Sequence, residues 1–235
     1  MSQESERHPA NVFTGLSILL SDLEALYKDI HSHPELSMQG NRTAGIAAEH
    51  LRSADHDVTT GIGKTGVICV LKNGDGPTVM LRADMDALPV REATGLPYAS
   101  SLTATDREGK AVPVMHACGH DMHVTWLIGA ATLFAQHRDT WRGTLIPLFQ
   151  PAKETSEVAR AMIEDGLFTR VPKPDVILGQ HVMVGPSGVV SYRSGVITSA
   201  GDSLQIRMFG RGAHGSMPQS SIDPVVMAAA TVLRL

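Results

Sequence analysis

GVICVLKNGDGPTVMLRADMDALP, residues 66–89, sets two apolar, β-branched runs on either side of Asn73-Gly74-Asp75-Gly76. Runs of this kind around an Asn/Gly/Asp cluster predict two strands, here a hairpin-like pair. Upstream, Leu16, Leu19, Leu20, Leu23, Leu26, Tyr27 and Ile30 recur at i, i+3, i+4, i+7, the spacing of a helix with one buried face, over 15–31. A second helix is predicted from about Asn41 to Ala54. Downstream come a helical run HVTWLIGAATLFAQH, a strand-like GTLIPLFQPA, a helical SEVARAMIEDGLF and a strand-like DVILGQHV. Strands alternating with helices predict an α/β fold with helices packed on a mostly parallel or mixed sheet. The polar ends of such strands are where ligands collect.

The texture changes near Ser194. DSLQIRMFGRG reads as an amphipathic strand, and DPVVMAAATVLRL as a helix with Asp223 as N-cap and Pro224 at its first position. Two domains are therefore expected, 1–193 and 194–235. A strand and a helix cannot bury their own faces, so the second piece either docks on the first or is a fragment of something longer. The glycine-rich GIGKTG at 61–66 is read as a turn: a phosphate loop would need glycine where Val58 stands.

Composition removes several function classes. With 235 residues, 43% of them hydrophobic, the chain is long enough for one generous globular domain or a domain and part of another. A net charge of −4 with no dense Lys/Arg run argues against nucleic acid as a partner. The start MSQESERHPANVF has no apolar run behind basic residues, and no stretch approaches the ~18 apolar residues of a membrane span, so no membrane association and a soluble, cytoplasmic protein are expected. Cys69 and Cys118 are the only cysteines, which excludes a disulfide framework; Cys69, inside GVICVL, reads as a buried small hydrophobe.

Residues 115–123, MHACGHDMH, pack three histidines, a cysteine and an aspartate together. Imidazole and thiolate side by side suit a divalent transition metal. Cys118 and His120 flank Gly119, which lets the backbone turn sharply enough for both to face one ion, and His116 and Asp121 complete the local set. Further ligands must come from other strand ends, and Glu154 and His181 sit where two are expected. These four donors should converge within about 5 Å of one point, since bonds to such metals are ~2.0–2.3 Å long.

HSHPELS at 31–37, the 66–89 stretch, MHACGHDMH at 115–123, FQPAKE at 149–154, GQHV at 179–182 and GRGAHGSMP at 210–218 resemble, in order and spacing, the metal-dependent amidohydrolases that include hippurate hydrolases, N-acyl-amino-acid amidohydrolases and plant auxin-conjugate hydrolases. The resemblance implies a zinc-peptidase-like catalytic domain followed by part of a ferredoxin-like satellite domain through which such enzymes dimerise. It implies two divalent ions (Mn, Zn or Co), with Cys118, His120, Glu154 and His181 among their ligands and Cys118 bridging. Asp86 resembles a carboxylate placed beside the metals, and His214 a satellite-domain histidine that reaches a partner's site and stabilises an oxyanion. The implied reaction hydrolyses the amide of a small N-acyl amino acid to a carboxylic acid and an amino acid, with the metals polarising the carbonyl and activating water.

Two departures from the family pattern stand out. Family members carry Pro-Ala-Glu-Glu, the first glutamate activating water; here Pro151-Ala152 are followed by Lys153-Glu154, which puts a lysine at the base position. Lys153 could act as a base only when deprotonated, and otherwise its ammonium repels a metal; Glu157, one turn on, could substitute as base or pair with Lys153. Family members also continue beyond the position of Leu235 and supply one more histidine ligand there, so the sequence reads as truncated or partial. A non-catalytic metal-binding or dimerising remnant is therefore the competing class. A Cys118 nucleophile and a thiol redox protein are weaker rivals.

Overall fold

The computed structural model describes residues 12–197, 201 and 204–234. The polar start at 1–11, read above as lacking a signal peptide, lies outside them. The chain divides into two compact units, Met1–Val184 and Gly185–Leu235.

In the larger unit, α1 (Leu16–Ser32) and α2 (Asn41–Ser53) form where the apolar periodicity predicts them. Proline at 34 restricts the preceding residue to extended conformations and helps stop α1. The carboxylate of Glu35 then accepts from the amides of Arg42 and Thr43 (2.9 and 2.8 Å), satisfying donors that open at the start of α2. The α2 residues Ala44, Ala47, Ala48 and Leu51 are buried, small enough to let the helix lie close on the sheet.

The strands β1 (Asp57–Ile62), β2 (Gly66–Asn73), β3 (Thr78–Asp84), β6 (Gly143–Gln150) and β7 (Val176–Gly179) make one mixed sheet in the order β1-β2-β6-β3-β7. The short strands β4 (Thr103–Thr105) and β5 (Ala111–Pro113) pair separately. The helix α3 (His120–Gln136) packs with α1 and α2 on one face over Val67, Cys69, Ala83 and Phe149. On the other face α4 (Val158–Glu164) and α5 (Leu167–Arg170) cover Ile62, Ile68, Met80, Ile146 and Leu148. This is the α/β architecture expected, with a mixed sheet and helices on both faces. Cys69 is fully buried, and burial pushes its thiol up to about 12.

The hairpin expected across Asn73–Gly76 does not form. β2 pairs antiparallel with β6, and β3 pairs parallel with β6 on its other side, so β6 lies between them. Both runs at 66–84 are apolar on both faces and need a neighbour on each side, and β6, buried at seven of its eight positions, meets that need. Asn73 does not close a turn; its side-chain amide donates to the carbonyls of Arg138 and Trp141 (2.6 and 2.7 Å), anchoring β2 to the loop before β6. The hairpin of this sheet is β1–β2, turning at Gly63-Lys64-Thr65, which bears out the reading of GIGKTG as a turn.

β3, β6 and β7 run parallel, so their C-terminal ends lie side by side, and the first turn of α3 opens at the same edge. In the smaller unit, α6 (Pro224–Val232) starts as predicted, Asp223 accepting from the amide of Val225 at 2.8 Å. The strand expected over 202–212 is absent among the described residues, which show only an isolated Arg211–Ile222 bridge. A strand exists by pairing, and the described part of this unit offers no long partner. Among the described residues no helix is long and apolar enough to cross a membrane.

Candidate metal centre

The sheet edge collects side chains from four segments. Cys118 and His120 come from the entrance to α3, Lys153 and Glu154 from the turn after β6, His181 from just after β7, and Asp84 and Asp86 from the end of β3. Gly119 makes the entrance possible: its φ is +75°, the left-handed region where glycine avoids a steric cost, and a Cβ there would stand 2.3 Å from Val182 Cγ2. Cys118 Sγ lies 3.6 Å from His181 Nε2, and the donor atoms of Cys118, His120 and His181 all lie within 4.8 Å of one another. Glu154 Oε1 lies 3.5 Å from His120 Nε2.

His120 is fully buried and its orientation is set. Nδ1 faces the carbonyl of Asp86 at 2.7 Å and the Asp86 carboxylate at 3.3 Å, both acceptors, so Nδ1 carries a proton. Its Nε2 is buried without a hydrogen-bond partner among the described residues. His181 Nδ1 likewise faces a carbonyl, that of Val182 at 2.7 Å, which leaves Nε2 as the lone-pair nitrogen toward Cys118. Two oriented imidazoles, a thiol and a carboxylate around an orphaned buried nitrogen fit a divalent ion, whose tetrahedral ligands sit roughly 3.3–3.8 Å apart. The Cys118 thiol is held above its ordinary range by burial and by the Glu154 carboxylate, the reverse of an activated nucleophile.

Asp86 is buried and braced. Its Oδ2 accepts from Ser37 Oγ (2.6 Å) and from the amide of Glu154 (2.9 Å). Burial pushes its pKa up, but the hydrogen bonds from His120, Ser37 and Glu154 outweigh that and hold it down at about 2. Because the folded value lies below the unfolded one, ~3.9, Asp86 contributes stability that is full above the unfolded pKa and is lost as pH falls through about 2. Unfolding titrations of the wild type and Asp86→Asn between pH 6 and 2 should therefore show a gap that narrows by on the order of 2 kcal/mol on acidification. A gap that stays constant over this range would show that Asp86 is not ionised in the folded chain.

Lys153 does not fit a second cation. Its Nζ lies 3.2 Å from Glu154 Oε1 and 4.0 Å from Cys118 Sγ. Burial favours the neutral amine, yet the Glu154 hydrogen bond and charge, with Cys118 and Asp84, outweigh it and raise the pKa, so the group is an ammonium. Glu157 does not pair with it; its carboxylate meets Arg107 at 2.8 Å.

Other residues of the quoted nonapeptide point elsewhere. Asp121 accepts from His31 Nδ1 at 2.6 Å, and His31 Nε2 reaches Glu92 at 3.0 Å, so Asp121 ties α3 to α1. His116 is buried and burial lowers it to about 4, with neither ring nitrogen partnered among the described residues. Two close neighbours of the centre escaped the sequence reading. His123, fully buried, lies tilted against His120 and edge-on to His181, and Asp84 lies 4.0 Å from His120 Nε2 while its other oxygen holds Arg82. The signals were present: His123 is i+3 from His120 on a helix, and Asp84 is i−2 from Asp86 on an extended segment. In the smaller unit, His214 is exposed and its Nδ1 accepts from the amide of Ser216 (3.2 Å), so Nε2 carries the outward proton.

The chain is similar to known proteins. Residues 80–233 match the model of peptidase family M20/M25/M40. The chain is 40% identical to a hippurate hydrolase of Campylobacter jejuni over 96% of its own length, and 34% identical to an N-acetyl-L-cysteine deacetylase of Bacillus subtilis over 100%. It spans 56% and 53% of those two relatives. A solved Bacillus subtilis protein described as a dinuclear metal binding peptidase from the M20 family superposes with a TM-score of 0.61 at 36% identity, over 70% of this chain and 43% of that one. With the match running from β3 through the sheet edge into the smaller unit, and relatives this similar along nearly the whole sequence, the chain belongs to peptidase family M20/M25/M40.

Proposed function

We propose that this chain carries the metal-binding part of an amidohydrolase that cleaves N-acyl amino acids into a carboxylic acid and an amino acid. The observation that supports it most is the meeting of donor atoms of Cys118, His120 and His181, with Glu154 Oε1 3.5 Å from the buried, unpartnered His120 Nε2. Relatives named for hippurate hydrolysis and N-acetylcysteine deacetylation support an N-acyl amino acid as the substrate class. A divalent ion on these donors, of the zinc, manganese or cobalt type, supplies Lewis acidity to an amide carbonyl and acidifies water. Asp86 keeps His120 in the tautomer whose Nε2 can ligate, and Ser37 and the Glu154 amide keep Asp86 ionised. Residues 194–235 begin a satellite domain that pairs two copies, and His214, with its outward Nε2–H, donates there to a developing oxyanion. A reducing, cytoplasmic setting suits the free thiols of Cys69 and Cys118.

A second reading, a metal-binding or dimerising member without turnover, is favoured by one observation: the Lys153 ammonium at the place of the family's base. Hydrolysis of hippurate-type and longer N-acyl amino acids, measured beside metal content before and after chelation, separates the two. Slow turnover that disappears on chelation and returns with added metal is expected. Turnover untouched by chelation would defeat the metal-dependent reading; bound metal without any turnover would favour the second.

A further inference from the structure

The donors at the sheet edge divide into two sides. On one side Cys118 Sγ faces His181 Nε2 at 3.6 Å, with His120 in the same group. On the other, Lys153 Nζ lies against Glu154 Oε1 at 3.2 Å and Cys118 Sγ at 4.0 Å. Glu154 Oε1 reaches both sides, being 3.5 Å from His120 Nε2. The lysine charge thus rests on two of the donors that a second cation would need.

We propose that the Lys153 ammonium takes the place of one of two cations, so that this chain holds a single divalent ion on Cys118, His120 and His181, with Glu154 shared between that ion and the ammonium. The inference rests on the metal-dependent reading above and specifies its stoichiometry. Electrostatics carry it. A second dication near the same carboxylate and thiolate would sit a few ångströms from a fixed positive charge, a repulsion that weakens its binding by on the order of 100-fold or more at a partly solvated site. The ammonium meanwhile supplies one of the positive charges that the thiolate and carboxylate require.

A deeper trio, Asp84, His120 and His123, also brings donor atoms within 4.8 Å of one another, but it is the poorer home. Asp84 is already paired with Arg82. His123 Nε2 accepts from the Val182 amide at 3.0 Å, so in the neutral ring the proton sits on Nδ1 and no lone pair remains to ligate.

The test titrates the full metal-free chain with cobalt(II), counting bound metal by elemental analysis after dialysis and following the thiolate-to-cobalt charge-transfer absorption in the near ultraviolet. The wild type should bind one equivalent and show the thiolate band. Lys153→Gln, which keeps length and removes charge, should bind a second equivalent on the order of 100-fold tighter than the wild type does, and Lys153→Arg should remain at one. Two equivalents in the wild type, or one in Lys153→Gln, would overturn the substitution of ammonium for cation and leave the metal-dependent reading standing. One equivalent without a thiolate band would overturn the placement on Cys118. No cobalt in the wild type overturns the inference, and none in Lys153→Gln as well removes the metal-dependent reading with it.

Discussion

Lys153→Glu should raise the rate of N-acyl amino acid hydrolysis by ~10²–10⁴, the usual worth of a positioned general base. The substitution does two things at once. It removes a positive charge 3.2 Å from Glu154, and it puts a carboxylate at the position where the resemblance to metal-dependent amidohydrolases implies a water-activating group. The relatives matched here are nearly twice as long, so the variant is best measured in this chain and in a version extended by the C-terminal portion of a relative, each loaded with excess metal. A gain in the extended protein that exceeds the gain in this chain would mean that residues of the added portion also serve the site. No gain in either, with two cations bound in both, would show that the base is not what limits turnover. Full activity in the unmodified chain, lost in Lys153→Glu, would show that a neutral lysine is the working base and would defeat the reading of an ammonium there.

The second large effect is expected from Gly119→Ala. Alanine at φ +75° costs roughly 1 kcal/mol in backbone strain, and its Cβ would stand 2.3 Å from Val182 Cγ2. Valine has little rotamer freedom to escape, so the main chain must give. Val182 is held by its amide to His123 Nε2 and by its carbonyl to His181 Nδ1, so a displaced Val182 carries His181 away from Cys118. Metal affinity should fall by ~10–100-fold, as when an orienting partner of a ligand is lost, and stability by ~1–3 kcal/mol. At ~2–4 °C per kcal/mol for a domain of this size, the melting temperature should drop by several degrees. Adding Val182→Ala to Gly119→Ala removes the contact but not the backbone strain. The double variant should therefore regain much of the affinity and less of the stability. Unchanged affinity in Gly119→Ala alone would sink the coupling of Gly119 to His181.

The sequence made the fold class and the segments that meet at the candidate centre readable for a physical reason: both rest on local pattern. Helical periodicity in 15–31 and 41–54 needs no knowledge of partners, and a thiol and imidazoles around a glycine advertise chemistry on their own. Strand pairing is different, because it is decided by competition. Asn73–Gly76 has turn chemistry, yet the strand at 143–150, more deeply buried than either flank, took both inner edges. His123 was lost through a boundary: with the helix taken to begin at His123, the shared face of His120 and His123 was invisible, whereas α3 begins at His120. Glu157 and Asp121 looked like members of the centre by proximity in sequence, but Arg107 and His31, distant in sequence, hold them.

The insertion of β6 between β2 and β3 also bears on how the chain reaches this state. Residues 66–84 emerge from synthesis early, but neither strand has its principal neighbour until residues 143–150 arrive. Until then two apolar strands have unpaired edges, and the loop that must close spans all of α3. Such non-local pairing slows folding and lengthens the exposure of edges that can pair with another molecule. The nascent chain is thus most prone to association before its central strand is made, and slower elongation ahead of residue 143 should lower the yield of soluble protein more than an equal pause after residue 150.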